Sequence, residues 1–223
     1  MHRGVARGAA CLLDVCTTVV SVDPVPIVEE LAATAGVGAD RWRTALGPLW
    51  PAVEDGRLSV AEALRRTLSA CGAPTDPQLV GRLVRLEARR LVEAGRVDDG
   101  VAPFLAELRD RGVQTALLAN GSASTRAMVE EHGLTAMVDE LVLSCEVGAR
   151  QPGPTFYRRA LAAVGAEPRS ALLVDGRPDH CREAMGLRIE AVVLLRTGWG
   201  PDAVAKADGL PSVDRLDRLL PRF

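Results

Sequence analysis

Lysine is almost missing from this chain. Lys206 is the only one among 27 basic residues, so arginine carries nearly all the positive charge, and chemistry that needs an active-site lysine has one place to find it. The five cysteines, at 11, 16, 71, 145 and 181, make no Cys-x-x-Cys spacing and are odd in number, which argues against a disulfide framework. Most of them read as small buried hydrophobes. His132, His180, Cys145 and Cys181 show no zinc-ligand spacing either. No apolar run approaches the roughly 18 residues of a membrane span. The opening Met1-His2-Arg3-Gly4 lacks the long apolar core of a secretion signal, so a cytoplasmic location is expected. Strong net charge is absent as well: at −2, nothing marks a surface for nucleic acid or an anionic membrane. The arginines lie among acids along helical stretches and read as solvated faces.

What remains is a globular composition, 48% hydrophobic and 25% charged over 223 residues, long enough for a large core with an insertion. The most informative stretch is Ala10-Cys11-Leu12-Leu13-Asp14-Val15-Cys16-Thr17-Thr18-Val19-Val20, in which an apolar run ends on a carboxylate. Open α/β sheets place their chemistry at such strand ends. Apolar runs recur at 113–120, 140–144, 171–175 and 191–195, with helical periodicity at 103–111, 124–132, 154–164 and 179–185. Strands alternating with helices of this length predict βαβ units and a doubly wound parallel sheet.

Residues 23–98 break the alternation and read as helix throughout, with apolar spacing at 27–35, 41–49, 60–70 and 79–92. Ser59 and Asp76 stand as N-caps, and Pro77 suits a first helical position. Trp42 and Trp50, eight apart, fall on similar sides of one helix, packed in the bundle or facing a cleft. The expected organisation is an α/β core of residues 1–22 and 98–223 with an all-helical cap, 23–97, over the strand ends.

A carboxylate after the first strand, a helical insertion, then Ala119-Asn120-Gly121-Ser122, Arg150-Gln151-Pro152-Gly153-Pro154 and Leu173-Val174-Asp175-Gly176-Arg177-Pro178-Asp179 resemble the haloacid dehalogenase superfamily of phosphohydrolases and dehalogenases. The position of the insertion is similar to the subgroup with a helical-bundle cap. The resemblance implies that Asp14 is the nucleophile, forming a covalent intermediate. It implies an acid two residues later as proton donor in the phosphatases, where this chain has Cys16, whose ordinary thiol pKa near 8.5 suits that task poorly. In the dehalogenase branch that second position is not acidic either.

The family's phosphoryl-binding serine or threonine is replaced by Ala119, and the lysine before Pro152 by Gln151. Asn120, Gly121 and Thr18 remain as groups that bind charge at the strand ends. Ser122 either reaches inward or caps the following helix. Arg150, one position early, either swings in to replace the lysine or points elsewhere. A magnesium site, weakened, is implied at Asp14, the Cys16 carbonyl and Asp175. Gly176 stands where a second acid often follows, and Asp179 fits an alternative ligand spacing or an N-cap. The expected set is therefore Asp14 and Cys16 as catalytic, Thr18, Asn120, Gly121, Arg150 and Gln151 as substrate-binding, and Asp14, Cys16, Asp175 and Asp179 as metal ligands.

Two functional classes follow: a non-standard small-molecule enzyme centred on Asp14, or a catalytically silent relative that binds a metabolite or protein. Weak magnesium-dependent phosphatase or dehalogenase-like hydrolysis is the third reading. A phospho-acceptor signalling domain also uses a strand-end aspartate, but needs a lysine after a later strand and no large helical insertion. Nothing in the sequence sets the oligomeric state.

Overall fold

A computed structural model describes residues 9–196 and 207–223; Lys206 and the first four residues lie outside the described residues. Strand β1 (Ala10–Asp14) is buried along its whole length. Its alternation sends Cys11 and Leu13 into one apolar cluster and Ala10 and Leu12 into another, so the sheet has a core on each face. Burial on both faces is why the strand reads as an unbroken apolar run. The run does not continue as strand to Val20. It stops at Asp14, whose side chain accepts from the Thr17 amide and opens a π-helical turn, Val15–Val19. Such turns carry an extra residue and recur at functional sites.

The chain then crosses β2 (Val20–Ser21) into five helices, α1 (Val25–Thr34), α2 (Ala39–Leu46), α3 (Trp50–Glu54), α4 (Val60–Ala70) and α5 (Pro77–Ala94). Ser59 and Asp76 cap α4 and α5, accepting from the amides of Glu62 and Leu79. Two expectations need correction. The helical run of 41–49 ends at Leu46, because Gly47-Pro48 tightens into a 3-10 turn, and Trp42 and Trp50 thus lie on separate helices. The stretch 23–98 is also not helical throughout, since β3 (Arg96–Val97) pairs antiparallel with β2 where the chain returns. The five helices have an apolar cluster of their own, with Trp42, Leu64, Leu68 and Leu83 fully enclosed.

Beyond β3 the alternation resumes. It runs α6 (Val101–Asp110), β4 (Gln114–Ala119), α7 (Ala123–Glu131), β5 (Glu140–Leu143), α8 (Ser144–Val147), α9 (Pro154–Ala163), β6 (Ala171–Asp175), α10 (Pro178–Gly186), β7 (Glu190–Leu194) and β8 (Ser212–Val213). The six-stranded sheet has the order β5-β4-β1-β6-β7-β8, all parallel. The connections run outward from β1 through β4 to β5, then return to the other side at β6. That reversal leaves a crevice at the carboxyl ends of β1 and β6, where ligands of such sheets bind. Asp14 and Asp175 are the last residues of those two strands. Among the described residues, no helix is long and apolar enough to cross a membrane.

Candidate active site

Asp14 is buried at the tip of β1, and Thr17 folds back onto it. The Thr17 amide and hydroxyl both meet Asp14 Oδ2 at 2.8 Å. The same hydroxyl lies 3.1 Å from Asp175 Oδ1 and accepts from the Gly176 amide at 3.0 Å. One side chain thus bridges the two strand-end carboxylates. Burial pushes the Asp14 carboxyl up to about 7, helped by the neighbouring charge of Asp175 and opposed by His180 and the Thr17 hydrogen bonds.

Asp175, fully buried, is surrounded. Its Oδ1 also accepts from the Arg177 amide at 2.8 Å, while Oδ2 faces Gln151 Nε2 at 3.1 Å and His180 Nδ1 at 2.8 Å. Burial alone lowers the His180 pKa. The hydrogen bond and charge of Asp175 outweigh it, so the imidazole sits above its ordinary value. Gln151 is almost wholly enclosed and joins Asp175 to the loop before α9. Asn120 fixes that loop by a two-way clasp, donating to the Gln151 carbonyl at 2.9 Å and accepting from its amide at 2.8 Å.

The other expected residues divide. Cys16 is exposed and lines the cavity above Asp14. Thr18 is turned away: it is fully buried, with its hydroxyl 3.5 Å from the Val174 carbonyl, and its neighbour Thr17 faces the carboxylates. The Gly121 amide donates to the Ser144 hydroxyl, which in turn donates to the Glu54 carbonyl of α3. Ser122 caps α7, in a reciprocal capping box with Thr125. Arg150 does not swing toward Asp175; its guanidinium pairs with Glu54 at 2.7 Å. Asp179 pairs with Arg177 on the exposed first turn of α10, apart from the group formed by Asp14, Asp175 and His180.

Three contributors escaped the sequence reading. Thr17 was masked by its twin at 18. His180 has no zinc spacing, and its partner is the carboxylate five residues earlier. Glu87, buried on α5, lies 2.5 Å from the Ser124 hydroxyl of α7, and burial raises its pKa. All three line one cavity of about 580 Å³, within the range of small-molecule sites. Asp14, Thr17, Asn120 and His180 form its floor, and Ile27, Val28, Leu31, Leu46, Trp50 and Leu64 of the helical segment supply an apolar wall. Outside the cavity, the loop after α3 meets α8 closely at Gly56, with φ +76°, where a Cβ would stand 2.3 Å from the Cys145 carbonyl oxygen.

The oxygens of Asp14 and Asp175 and a ring nitrogen of His180 lie within 4.8 Å of one another, close enough to share an ion. Their existing partners oppose it. A carboxylate offers about four acceptor positions; on Asp175 the Arg177 amide, Gln151 and His180 take three, and the Thr17 hydroxyl, with one proton between the two carboxylates, stands against Oδ1 as well. A hard cation such as magnesium requires free oxygens in near-octahedral array. As arranged, the residues do not fit it.

Comparison with known proteins agrees with this geometry at the level of family. A phosphoserine phosphatase of Thermus thermophilus is 37% identical over 90 residues, 40% of this chain and 35% of that protein. The chain spans only 35% to 57% of the length of four curated relatives that it matches. Among solved structures, the L-2-haloacid dehalogenase of Xanthobacter autotrophicus, with chloropropionic acid covalently bound, superposes with a TM-score of 0.64 at 20% identity, covering 96% of this chain and 97% of that one. A HAD family enzyme of Bacteroides thetaiotaomicron, complexed with magnesium and inorganic phosphate, gives 0.68 at 14% identity, covering 86% and 96%. At such identities the likeness shows the fold. The family model of haloacid dehalogenase-like hydrolases matches residues 11–181, from the middle of β1 into α10, and the chain belongs to that family.

Proposed function

We propose that this chain is a hydrolase in which Asp14 attacks a small organic electrophile held in the cavity, and not an ordinary magnesium-dependent phosphomonoesterase. In this reading α1–α5 form a cap, residues 23–97, over a core of 1–22 and 98–223. The observation that carries it is the pairing of a deeply buried carboxylate with an apolar chamber whose cations are already engaged. Of the lining arginines, Arg43 pairs with Asp40 and Glu29, and Arg177 with Asp179. Gln151, buried against Asp175, brings an amide where a phosphate dianion would require a charge. A substrate with an apolar body and a weakly charged reactive group suits such a site.

The step proposed is a two-stage displacement. An Asp14 oxygen forms a bond to the electrophilic carbon while the leaving group departs with the bonding pair, and water then cleaves the resulting ester, or anhydride where that carbon is acyl, restoring the carboxylate and releasing a proton. Thr17 holds Asp14 Oδ2 from behind, and Cys16 borders the entry. The test is acid-quenched mass spectrometry after incubation with activated organic esters and halides, beside a panel of phosphomonoesters with Mg²⁺. An adduct mapped to residue 14, absent in Asp14→Asn, is the expected result. Brisk magnesium-dependent phosphate release from a simple monoester overturns the proposal.

A binding role without turnover draws on one further fact, the double hold of Thr17 on Asp14 Oδ2. Equal rates for Asp14→Asn and the unmodified chain would favour it.

A further inference from the structure

We infer that the Thr17 side chain stands where a divalent cation would have to enter between the two strand-end carboxylates, so that the chain binds no such cation at this site. The inference is independent of the proposed reaction, because cation binding is measured without a substrate.

Three observations meet here. First, Thr17 Oγ1 touches both carboxylates, at 2.8 Å from Asp14 Oδ2 and 3.1 Å from Asp175 Oδ1, so an ion shared by these oxygens has to displace it. Second, the hydroxyl is itself held in place by the Gly176 amide at 3.0 Å, and Thr17 is anchored by its own amide on Asp14. Third, Gly176 is the steric complement of Thr17. A Cβ at 176 would stand 2.7 Å from Thr17 Cβ and 2.9 Å from its hydroxyl and carbonyl oxygens, closer than real Cβ atoms come. As the chain stands, a side chain at position 176 would therefore meet both the side chain and the backbone of residue 17. Residues 17 and 176 act as one unit that brings a neutral hydroxyl in and keeps an acid out.

The hydroxyl also answers the electrostatic problem in its own way. Two buried carboxylates this close repel, and a cation is one remedy. Thr17 supplies a hydrogen bond instead, and His180 and Gln151 supply two more on the far oxygen of Asp175. With these contacts made, a cation gains little by entering and must first strip them.

Manganese serves as the probe, its free concentration read by electron paramagnetic resonance, with Mg²⁺ followed by calorimetry. The unmodified chain is expected to leave Mn²⁺ free up to about 1 mM, whereas Thr17→Gly, which removes the hydroxyl and opens the space beside Gly176, should bind one ion at least roughly tenfold more tightly. Adding Asp175→Asn to Thr17→Gly should abolish the gain. Saturable one-site binding by the unmodified chain that Asp175→Asn removes overturns the inference. So does a Thr17→Gly protein, folded by circular dichroism, that gains nothing. Should Thr17→Gly not fold, Thr17→Ala takes its place under the same criteria, and the titration of the unmodified chain decides in either case.

Discussion

At the floor of the cavity each polar side chain is held by a hydrogen bond to a neighbouring side chain or backbone group, while across the same space Ile27, Leu31, Leu46 and Leu64 have no hydrogen-bonding capacity at all. The floor comes from the end of β1 and from the segments that follow β1, β4 and β6, and the wall from helices with their own apolar cluster. The difference separates two jobs. On the proposed reading, a substitution in the floor changes chemistry through one or two atoms, whereas a substitution in the wall changes volume or stability and leaves Asp14 in place. Experiments that confuse the two outcomes break the comparison, and those that separate them sharpen it.

The largest separation is expected at Asp14. If the floor alone carries the reaction, Asp14→Asn lowers turnover by roughly 10³-fold or more while the chain still folds, since a covalent nucleophile has no substitute. Steady-state rates beside a far-ultraviolet spectrum check both halves. Retained activity with loss of fold would reverse the roles assigned to floor and wall.

Next in size is a contrast within the wall. Trp42 is fully buried in the helical cluster, so Trp42→Ala should destabilise by about 3–5 kcal/mol. Trp50 is half-buried and faces the cavity. Trp50→Ala should therefore cost less than about 1.5 kcal/mol and act on KM more than on kcat. Denaturant melts paired with kinetics on any turned-over substrate distinguish them. Equal destabilisation by both would mean that Trp50, which packs against the edge of that cluster, contributes to it as fully as Trp42 does.

How far all this could be read from the chain follows the same division. β1 and β6 were legible because burial on both faces leaves continuous apolar runs, and Asp14 and Asp175 because each ends such a run. Ser59 and Asp76 announced α4 and α5 through capping chemistry that is local to four residues. What sequence could not resolve were choices between neighbours. Thr17 and Thr18 are the same residue type, and only the π-helical turn decides which one faces the carboxylates. Gln151 and Arg150 differ by one step on a loop, and the Asn120 clasp on the Gln151 backbone accompanies the inward aim of that side chain while Arg150 goes to Glu54. His180 and Glu87 depend on contacts between separate elements, to which periodicity is blind.

A smaller effect tests the floor's electrostatics without any substrate. The Asp14 pKa rises from 3.8 to about 7 on folding. Well below pH 4 the carboxyl is protonated in both states. Between 4 and 7 the unfolded chain releases the proton that the folded chain keeps, so this contribution to stability is lost as pH rises through about 7. Asp14→Asn has no such proton to lose. Its stability relative to the unmodified chain should therefore improve by about 2–4 kcal/mol between pH 4 and pH 8, at 1.36 kcal/mol per pKa unit. Urea melts at pH 4, 6 and 8 measure it, and a difference that is flat with pH would show that the floor does not hold Asp14 protonated.

The smallest effect belongs to the joint between floor and wall. Arg150 and Glu54 close it with an ion pair at 2.7 Å, but Arg150 remains 44% exposed, so water and salt screen the attraction. Exposed pairs of this kind contribute about 0–1 kcal/mol. Beside it, the Ser144 hydroxyl bonds the Glu54 carbonyl and Gly56 seats against the Cys145 backbone, neither of which needs charge. Arg150→Ala should therefore destabilise by less than about 1 kcal/mol, raise KM no more than about threefold, and lose even that difference at high salt. A double-mutant cycle with Glu54→Gln at low and high ionic strength reads the coupling directly. A large, salt-resistant coupling would mean that Arg150 acts on the floor after all, and that the boundary between the two regions runs through this arginine instead of behind it.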